Sequence, residues 1–594
     1  MKSSEIPKFY IDYLNTKTID TPYLEKQYIP TEEDNKNGYN PFHLDKIQIY
    51  NPSYNLFFKL AEDNYNNVGL NHKYSMLDLL NVIDQETREP VEKNIHIKYS
   101  PLLDPLKYMI GKYKNYDNIC VLPSIGGASS HSKLLDTNNA SYVDNFFSFL
   151  SSKLLHSHGF LHGVDYYGSF LGVQDKFKIN VIDDLDYLSN SDYFKDNINK
   201  LFSLTDIEMD EFSNFGSRNN KQKLVISDKI DITDFETLEI IIDNDQPLEV
   251  ETGIVYEKPI KNTSESYSSS DSDSDSDTDS DEEVDNSESD SATSSSSDDS
   301  ENSSEINSED NDSGDGDNSD GDDEHDEKWE TDSDESSSNT EECRYVYINN
   351  FPVQLICLEK CHGTMDELFE KNKMDLKTSA SALFQIVMIL LAYQKTFHFT
   401  HNDLHTNNIM YVNTEIEYLY YKYKNTMYKV PTYGKIYKLI DFGRSIYRFQ
   451  NNLFCSDSFA NGGDAATQYN CEPYMNENKP RIDPNYSFDL CRLGCSIYDF
   501  IIEDDKNPVD FDELQKTIYR WCTDDKGKNV LYMSNGEERY PNFKLYKMIA
   551  RTVHKHTPEN QLEYPFFKQF MMKSKNLILD NINMIDVDAM PCYV

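Results

Sequence analysis

"HNDLHTNNIM", residues 401–410, gathers two histidines, an aspartate and three asparagines into ten positions. It follows closely on the apolar run "SALFQIVMILLAYQ" (381–394). The wider stretch "TSASALFQIVMILLAYQKTFHF" predicts one long buried helix, with Thr378 or Ser379 as its N-cap. So many hydrogen-bonding side chains just past a buried helix either close that helix or form a site. Asp403 and, five residues on, Asn408 can point into one cleft from such a loop. Downstream, "GKIYKLIDFG" (434–443) predicts a strand entering a turn: its apolar residues drive it inward and Gly443 permits a sharp bend at Asp441. Two carboxylates and a carbonyl-type oxygen are what phosphoryl transfer asks of a protein. They supply hard oxygen ligands for Mg²⁺ and one carboxylate to orient the attacking hydroxyl.

The bulk numbers narrow the partners. The chain has 594 residues and a net charge of −48. Between Glu265 and Glu342 there are 33 acids and one lysine, so that window carries about −32 of the total. The rest is mildly acidic, which argues against nonspecific binding to nucleic acid or to an anionic membrane. No secretory signal is visible at the N-terminus, and the run Ala382–Tyr393 is too short to span a bilayer. The ten cysteines form no CxxC, and reduced structural thiols are expected. These features predict a soluble intracellular protein. Heavy use of Tyr, Asn, Lys, Ile and Asp is a bias that accompanies AT-rich genomes.

Around the opening stretch, the chain organises itself by composition. The segment 264–342 is mostly Ser, Asp and Glu; it cannot offset its ordering entropy and is expected to be disordered. Upstream, "KNIHIKYS" (93–100) reads as a strand, "YVDNFFSFLSSKLLHSH" (142–158) as an amphipathic helix and "VDYYGSFLG" (164–172) as a further strand. Downstream, "RYVYINNFPVQLICLEK" (344–360) reads as one or two strands and "SFDLCRLGCSIYDFII" (487–502) as a largely apolar helix.

These motifs, in this order, resemble the protein-kinase-like superfamily. "HNDLHTNN" is similar to the H-R-D-L-x-x-x-N catalytic loop, and "DFG" at 441–443 to its metal-binding partner. The resemblance is to serine/threonine-protein kinases of giant DNA viruses of the mimivirus type, with a haspin-like D-L-H in the loop. It implies an α+β, bilobal fold: a small β-rich lobe interrupted by the acidic insertion, then a helical lobe. The implied divisions are an N-terminal extension (1–65), the first part of the small lobe (66–172), an insertion (173–343), and the end of that lobe with the hinge and helical lobe (344–594). The implied activity is transfer of the ATP γ-phosphate to protein Ser or Thr. Asp403 is then the catalytic base, and Asn408 and Asp441 hold Mg²⁺. His401 braces the loop, and Asp489 holds its backbone. "IHIK" (95–98) resembles V-A-I-K, making Lys98 the lysine on the ATP phosphates, with Asp144 as its acidic partner. "VQLICLEKCHGTMDEL" resembles the strand and hinge that hold adenine, Glu359 and Cys361 offering backbone groups and Leu358 lying at the back.

The departures set the alternatives. His405 stands at the catalytic-loop place where lysine is common, and the same D-L-H occurs in aminoglycoside-type phosphotransferases. Asn402 replaces the arginine that clamps a phosphorylated activation loop, and no A-P-E follows the DFG. Gly69, in "NNVGLNHKY", is the single glycine near a plausible phosphate loop. "YLYYKYKNTMYK" (418–429) is an extra piece, expected to be a twisted, solvated hairpin. A small-molecule phosphotransferase of aminoglycoside- or choline-kinase type is the first alternative, and an inactive pseudokinase scaffold the second. The acidic tract is a candidate for recruiting basic protein substrates. Because loop closure costs only about 0.6 kcal/mol per doubling of length, replacing 264–342 by a short Gly/Ser linker is expected to preserve the melting temperature and ATP binding. Loss of the folded transition in that variant would show that the tract is part of the core.

Overall fold

The computed structural model describes residues 7–127, 129–205, 237–242, 246–251, 344–502, 507–573 and 584–594. The chain divides into two units, Met1–Ile260 with Glu342–Val594, and Lys261–Glu341. The acidic tract at 264–342 lies outside the described residues, and all described elements belong to the first unit.

The fold is a mixture of helices and several sheets. In chain order its first half supplies β1 (Leu44–Gln48), β2 (Ile95–Pro101), α1 (Ala140–His158) and β3 (Tyr166–Asn180), and β4 (Tyr345–Glu359) follows. β4 is the middle of the main sheet, antiparallel to β2 on one side and to β3 on the other, with β1 beyond β3. A hairpin of Thr237–Ile242 and Gln246–Glu251 adds to the β2 edge. Alternation decides which way β2 faces. Ile95, Ile97 and Tyr99 are buried in the core, so His96 and Lys98 point to the opposite side. The strand expected to end at Gly172 continues to Asn180. Phe177, Lys178 and Ile179 are all buried, and Phe177 stacks on Phe351 of β4 at 5.1 Å. Residues 173–180 therefore belong to the sheet.

α2 (Leu376–Phe397) is the core of the second half. Its cap is Asp375, not Thr378 or Ser379: the Thr378 amide donates to the Asp375 carboxylate at 2.8 Å, and the Asp375 amide donates back to the Thr378 hydroxyl at 2.8 Å. This reciprocal box satisfies two otherwise orphaned donors, which moves the helix start upstream. Among the described residues α2 alone is long and apolar enough to cross a membrane, and 83% of its most apolar stretch is buried inside the fold. Around it lie β5 (Ile409–Asn413), β6 (Tyr418–Tyr423), β7 (Thr426–Pro431), β8 (Lys435–Leu439), α3 (Phe488–Ile501), α4 (Lys544–Thr552) and β9 (Met584–Asp586). Gln385, the polar break in the apolar run, is satisfied by β8: its Oε1 accepts from the Tyr437 amide at 3.1 Å, and its Nε2 donates to the Lys435 carbonyl. A polar residue inside the helix thereby fixes the strand that leads to Asp441.

The Tyr/Lys-rich piece is the β6–β7 hairpin, but it is half-buried rather than solvated. Leu419, Tyr421 and Val430 are buried, and β9 runs parallel to β6 and covers its edge, with Lys422 paired to Asp586 at 2.7 Å. The nine described cysteines are all unbridged, and seven of them are buried.

Candidate active site

Three elements bring Lys98, Asp144 and Asp441 together. Lys98 on β2 reaches Asp144 Oδ2 on α1 at 2.9 Å and Asp441 Oδ1, past the end of β8, also at 2.9 Å. The second oxygen of Asp144 accepts the backbone amide of Phe442 at 2.9 Å, so one aspartate ties the lysine and the 441–443 turn to α1. Phe442 is buried against Phe147 of α1 (4.6 Å between ring centres) and against His401 (5.7 Å). Asp441 takes a left-handed backbone, φ 60°, a conformation that Asp and Asn tolerate better than most residues. Burial pushes the Asp144 carboxyl up, against the pull of Lys98. For Asp441 burial works the same way, but the Lys98 ammonium prevails and holds its carboxyl below the usual range. Lys98 loses hydration by burial, yet Asp144 and Asp441 together raise its pKa.

The 401–410 loop is held from beneath. Asp489, at the start of α3, accepts the backbone amides of His401 (2.9 Å) and Asn402 (2.8 Å), and the His401 ring bonds the Ile440 carbonyl at 2.9 Å. Asn408 donates its side-chain amide to the Asp403 carbonyl at 2.9 Å and lies 3.1 Å from His405 Nε2. Burial keeps His405 neutral, its pKa lowered to about 4, so Nε2 can accept that proton. These bonds consume the nitrogen end of Asn408 and leave its Oδ1 fully buried without a hydrogen-bond partner. An orphaned amide oxygen beside a carboxylate-bearing turn is a donor set that suits a hard cation such as Mg²⁺.

Asp403 lines a cleft together with Lys98, Asp144, Asp441 and Arg444. Its Oδ1 accepts from the Tyr546 hydroxyl at 2.8 Å, and its Oδ2 lies 3.9 Å from Arg444 Nη1. Burial alone would raise its pKa; Arg444, then His405, Arg492 and the Tyr546 bond outweigh it and bring the carboxyl down to about 2. The group is an ionised carboxylate at neutral pH. Asn402 makes a neutral latch: its amide donates to the Arg444 carbonyl at 2.9 Å, and Tyr469 donates to its oxygen at 2.8 Å.

A more apolar cavity adjoins this cleft. Leu358, Glu359 and Cys361 line it together with Val164, Met410, Ile440 and Phe442, and it opens onto Lys98, Asp144 and Asp441. The amide of Glu359 is spent on the Asp165 carbonyl at 2.9 Å, and its carboxylate is held by Lys438 and the Asp165 amide. Of the hinge groups expected at Glu359, its amide is thus already engaged.

Gly69 is not brought to either cavity. It sits in Val68–Leu70, paired antiparallel with Tyr13–Asn15, and lines a separate hollow with Tyr54, His72 and Tyr166. The N-terminal segment claims that strand, which is why proximity in sequence to Lys98 misplaces it.

Sequence reasoning missed Arg444, Arg492 and Tyr546. Arg444 directly follows the DFG and was in plain view. Tyr546 lies 143 residues beyond Asp403, with no spacing signal to link the two.

No family model matches the chain. Serine/threonine-protein kinase haspin of Bos taurus is 30% identical over 118 residues, 18% of this chain and 15% of that protein. An uncharacterized protein of Invertebrate iridescent virus 6 is 31% identical over 145 residues, 23% of this chain and 22% of that one. The chain thus spans less than a quarter of either relative, and these partial likenesses, one to a kinase and one to a viral protein, support a kinase-like relationship.

Proposed function

We propose that the chain is an ATP- and Mg²⁺-dependent phosphotransferase of bilobal, protein-kinase-like architecture that acts on protein serine or threonine. The observation that carries this reading is the double engagement of Lys98 by Asp144 and Asp441, in the same cleft as Asp403. Lys98 would bind the ATP phosphates, and the Leu358–Cys361 segment would border the base. Asn408 Oδ1 and the Asp441 carboxylate would hold Mg²⁺, whose charge offsets that of the phosphates. Asp403, ionised and buried, orients the acceptor hydroxyl and takes its proton as the oxygen bonds the γ-phosphorus and the bond to ADP breaks. By accepting a hydrogen bond from the Asn408 side-chain amide, His405 leaves Oδ1 as the end of that side chain not yet engaged.

A small-molecule phosphotransferase remains the second reading, favoured by the D-L-H at 403–405. Mg-ATP incubated with proteins, amino alcohols and aminoglycosides separates the readings by which acceptor carries phosphate. Failure with every acceptor would leave the pseudokinase scaffold.

Activity is expected without phosphorylation of the segment after the DFG. Besides the neutral Asn402 latch, Asp457 supplies a built-in negative charge: its Oδ1 accepts the Ala140 amide at the start of α1 at 3.0 Å, and its Oδ2 pairs with Lys133. An aspartate already docks this segment on α1, the task a phosphate performs elsewhere. Phosphatase-treated protein should keep its turnover; a large loss, traced to a phosphosite between Arg444 and Pro484, would contradict this.

A further inference from the structure

Asp403 is the last member of a buried chain of hydrogen bonds that begins on one helix and passes through a second. Arg492 of α3 donates its Nε–H to the Tyr546 hydroxyl oxygen at 2.7 Å, and Tyr546 of α4 donates its own proton to Asp403 Oδ1 at 2.8 Å. All three side chains are buried, between 4% and 5% exposed. The direction of the chain follows from chemistry. A guanidinium has donors only, so the phenol must accept from Arg492 and turn its single hydrogen toward the carboxylate. The Tyr546 ring cannot swing away easily. The Arg492 guanidinium lies 5.0 Å over it, that of Arg444 lies 5.9 Å away, and Phe543 stacks at 5.5 Å.

A hydrogen bond held at one carboxylate oxygen leaves the other oxygen as the acceptor still to be engaged. Asp403 Oδ2 has Arg444 at 3.9 Å, outside hydrogen-bond range, and Asp403 is among the residues lining the cleft. We propose that Tyr546 is a positioning residue for phosphoryl transfer: by holding Oδ1 it makes Oδ2 the atom that receives the acceptor's proton. This rests on the phosphotransferase reading above. Arg492 is the support of the clamp, polarising the phenol and fixing its hydrogen. A role in packing alone would show as lower stability with turnover unchanged in the folded protein.

The test is a double-substitution cycle on the full chain, with kcat and KM for ATP measured under Mg²⁺ at a temperature where each variant is folded. Tyr546→Phe removes only the hydroxyl. It is expected to lower kcat by about tenfold or more while KM for ATP stays unchanged, because a misplaced base costs rate and not nucleotide binding. In an Asp403→Asn background the same substitution is expected to change the rate by less than about twofold, since no base is left to position. Arg492→Gln, which keeps the phenol but removes its support, should fall between wild type and Tyr546→Phe, and it serves as the readout should Tyr546→Phe misfold. Turnover of Tyr546→Phe within about twofold of wild type, or an equal loss in both backgrounds, would overturn the proposal and leave the reading of Asp403 standing. Wild-type protein that transfers no phosphate to any acceptor overturns the phosphotransferase reading and the proposal with it.

Discussion

Replacing Asp403 by Asn is expected to lower turnover by a factor on the order of 10²–10⁴ while leaving ATP binding intact. The substitution keeps the shape of the side chain, and its amide oxygen can still accept from Tyr546. What it removes is the charge and the oxygen proposed to accept the proton. Asp403 is buried and, through Arg444, His405, Arg492 and Tyr546, held ionised to about pH 2, so the native group is a carboxylate under all ordinary assay conditions. The proposed nucleotide-side groups, Lys98, Asp441 and the Leu358–Cys361 segment, do not pass through it. Single-turnover transfer from labelled ATP, set beside nucleotide-induced thermal stabilisation of the same variant, checks both halves. Turnover within about twofold of wild type would remove Asp403 from the chemistry.

The second large effect is expected at Asp441. Asp441→Ala should abolish the Mg²⁺ dependence of ATP binding and turnover together. In the intact protein a nucleotide at a hundredfold over its Kd contributes about 2.7 kcal/mol of stabilisation, enough to read as a shift of the melting temperature. That shift should shrink when EDTA replaces Mg²⁺, and in the variant it should be equally small in both. Alanine also meets a left-handed backbone at φ 60°. Asp441→Asn is the better control, because Asn tolerates that conformation and the substitution subtracts the charge alone. Equal stabilisation of wild type by ATP in EDTA and in Mg²⁺ would dismiss the metal assignment to Asp441 and Asn408.

Much of the candidate site was legible because its members lie in local patterns. Asp403 and Asn408 are five residues apart, Asp441 ends an apolar strand, and the alternation Ile95, Ile97, Tyr99 turns Lys98 away from the core. Asp144 was legible as the lone acid on its helix, but its second bond, to the Phe442 amide, was not. Gly69 shows the opposite case. Its distance in sequence from Lys98 suited a phosphate loop, yet strand pairing with Tyr13–Asn15 draws it to another hollow. The strand through Phe177 was cut short at Gly172 because its pairing partner, the start of β4, lies on the far side of a long insertion.

The sequence by itself determined the main elements and the identities of the candidate site's side chains. Hydrophobic periodicity and turn residues are local properties of the chain, and so are the carboxylate, amide and ammonium side chains of its motifs. Only the tertiary structure decided how those groups are held: that Asp144 bridges Lys98 and the 441–443 turn, that Asn408 is left with one orphaned oxygen, and that Tyr546 and Arg492 reach Asp403. A hydrogen bond between residues 143 positions apart leaves no periodic trace in a single chain. It depends on packing α4 and α3 beneath the loop, and packing is set by the shapes of the whole core rather than by any one segment.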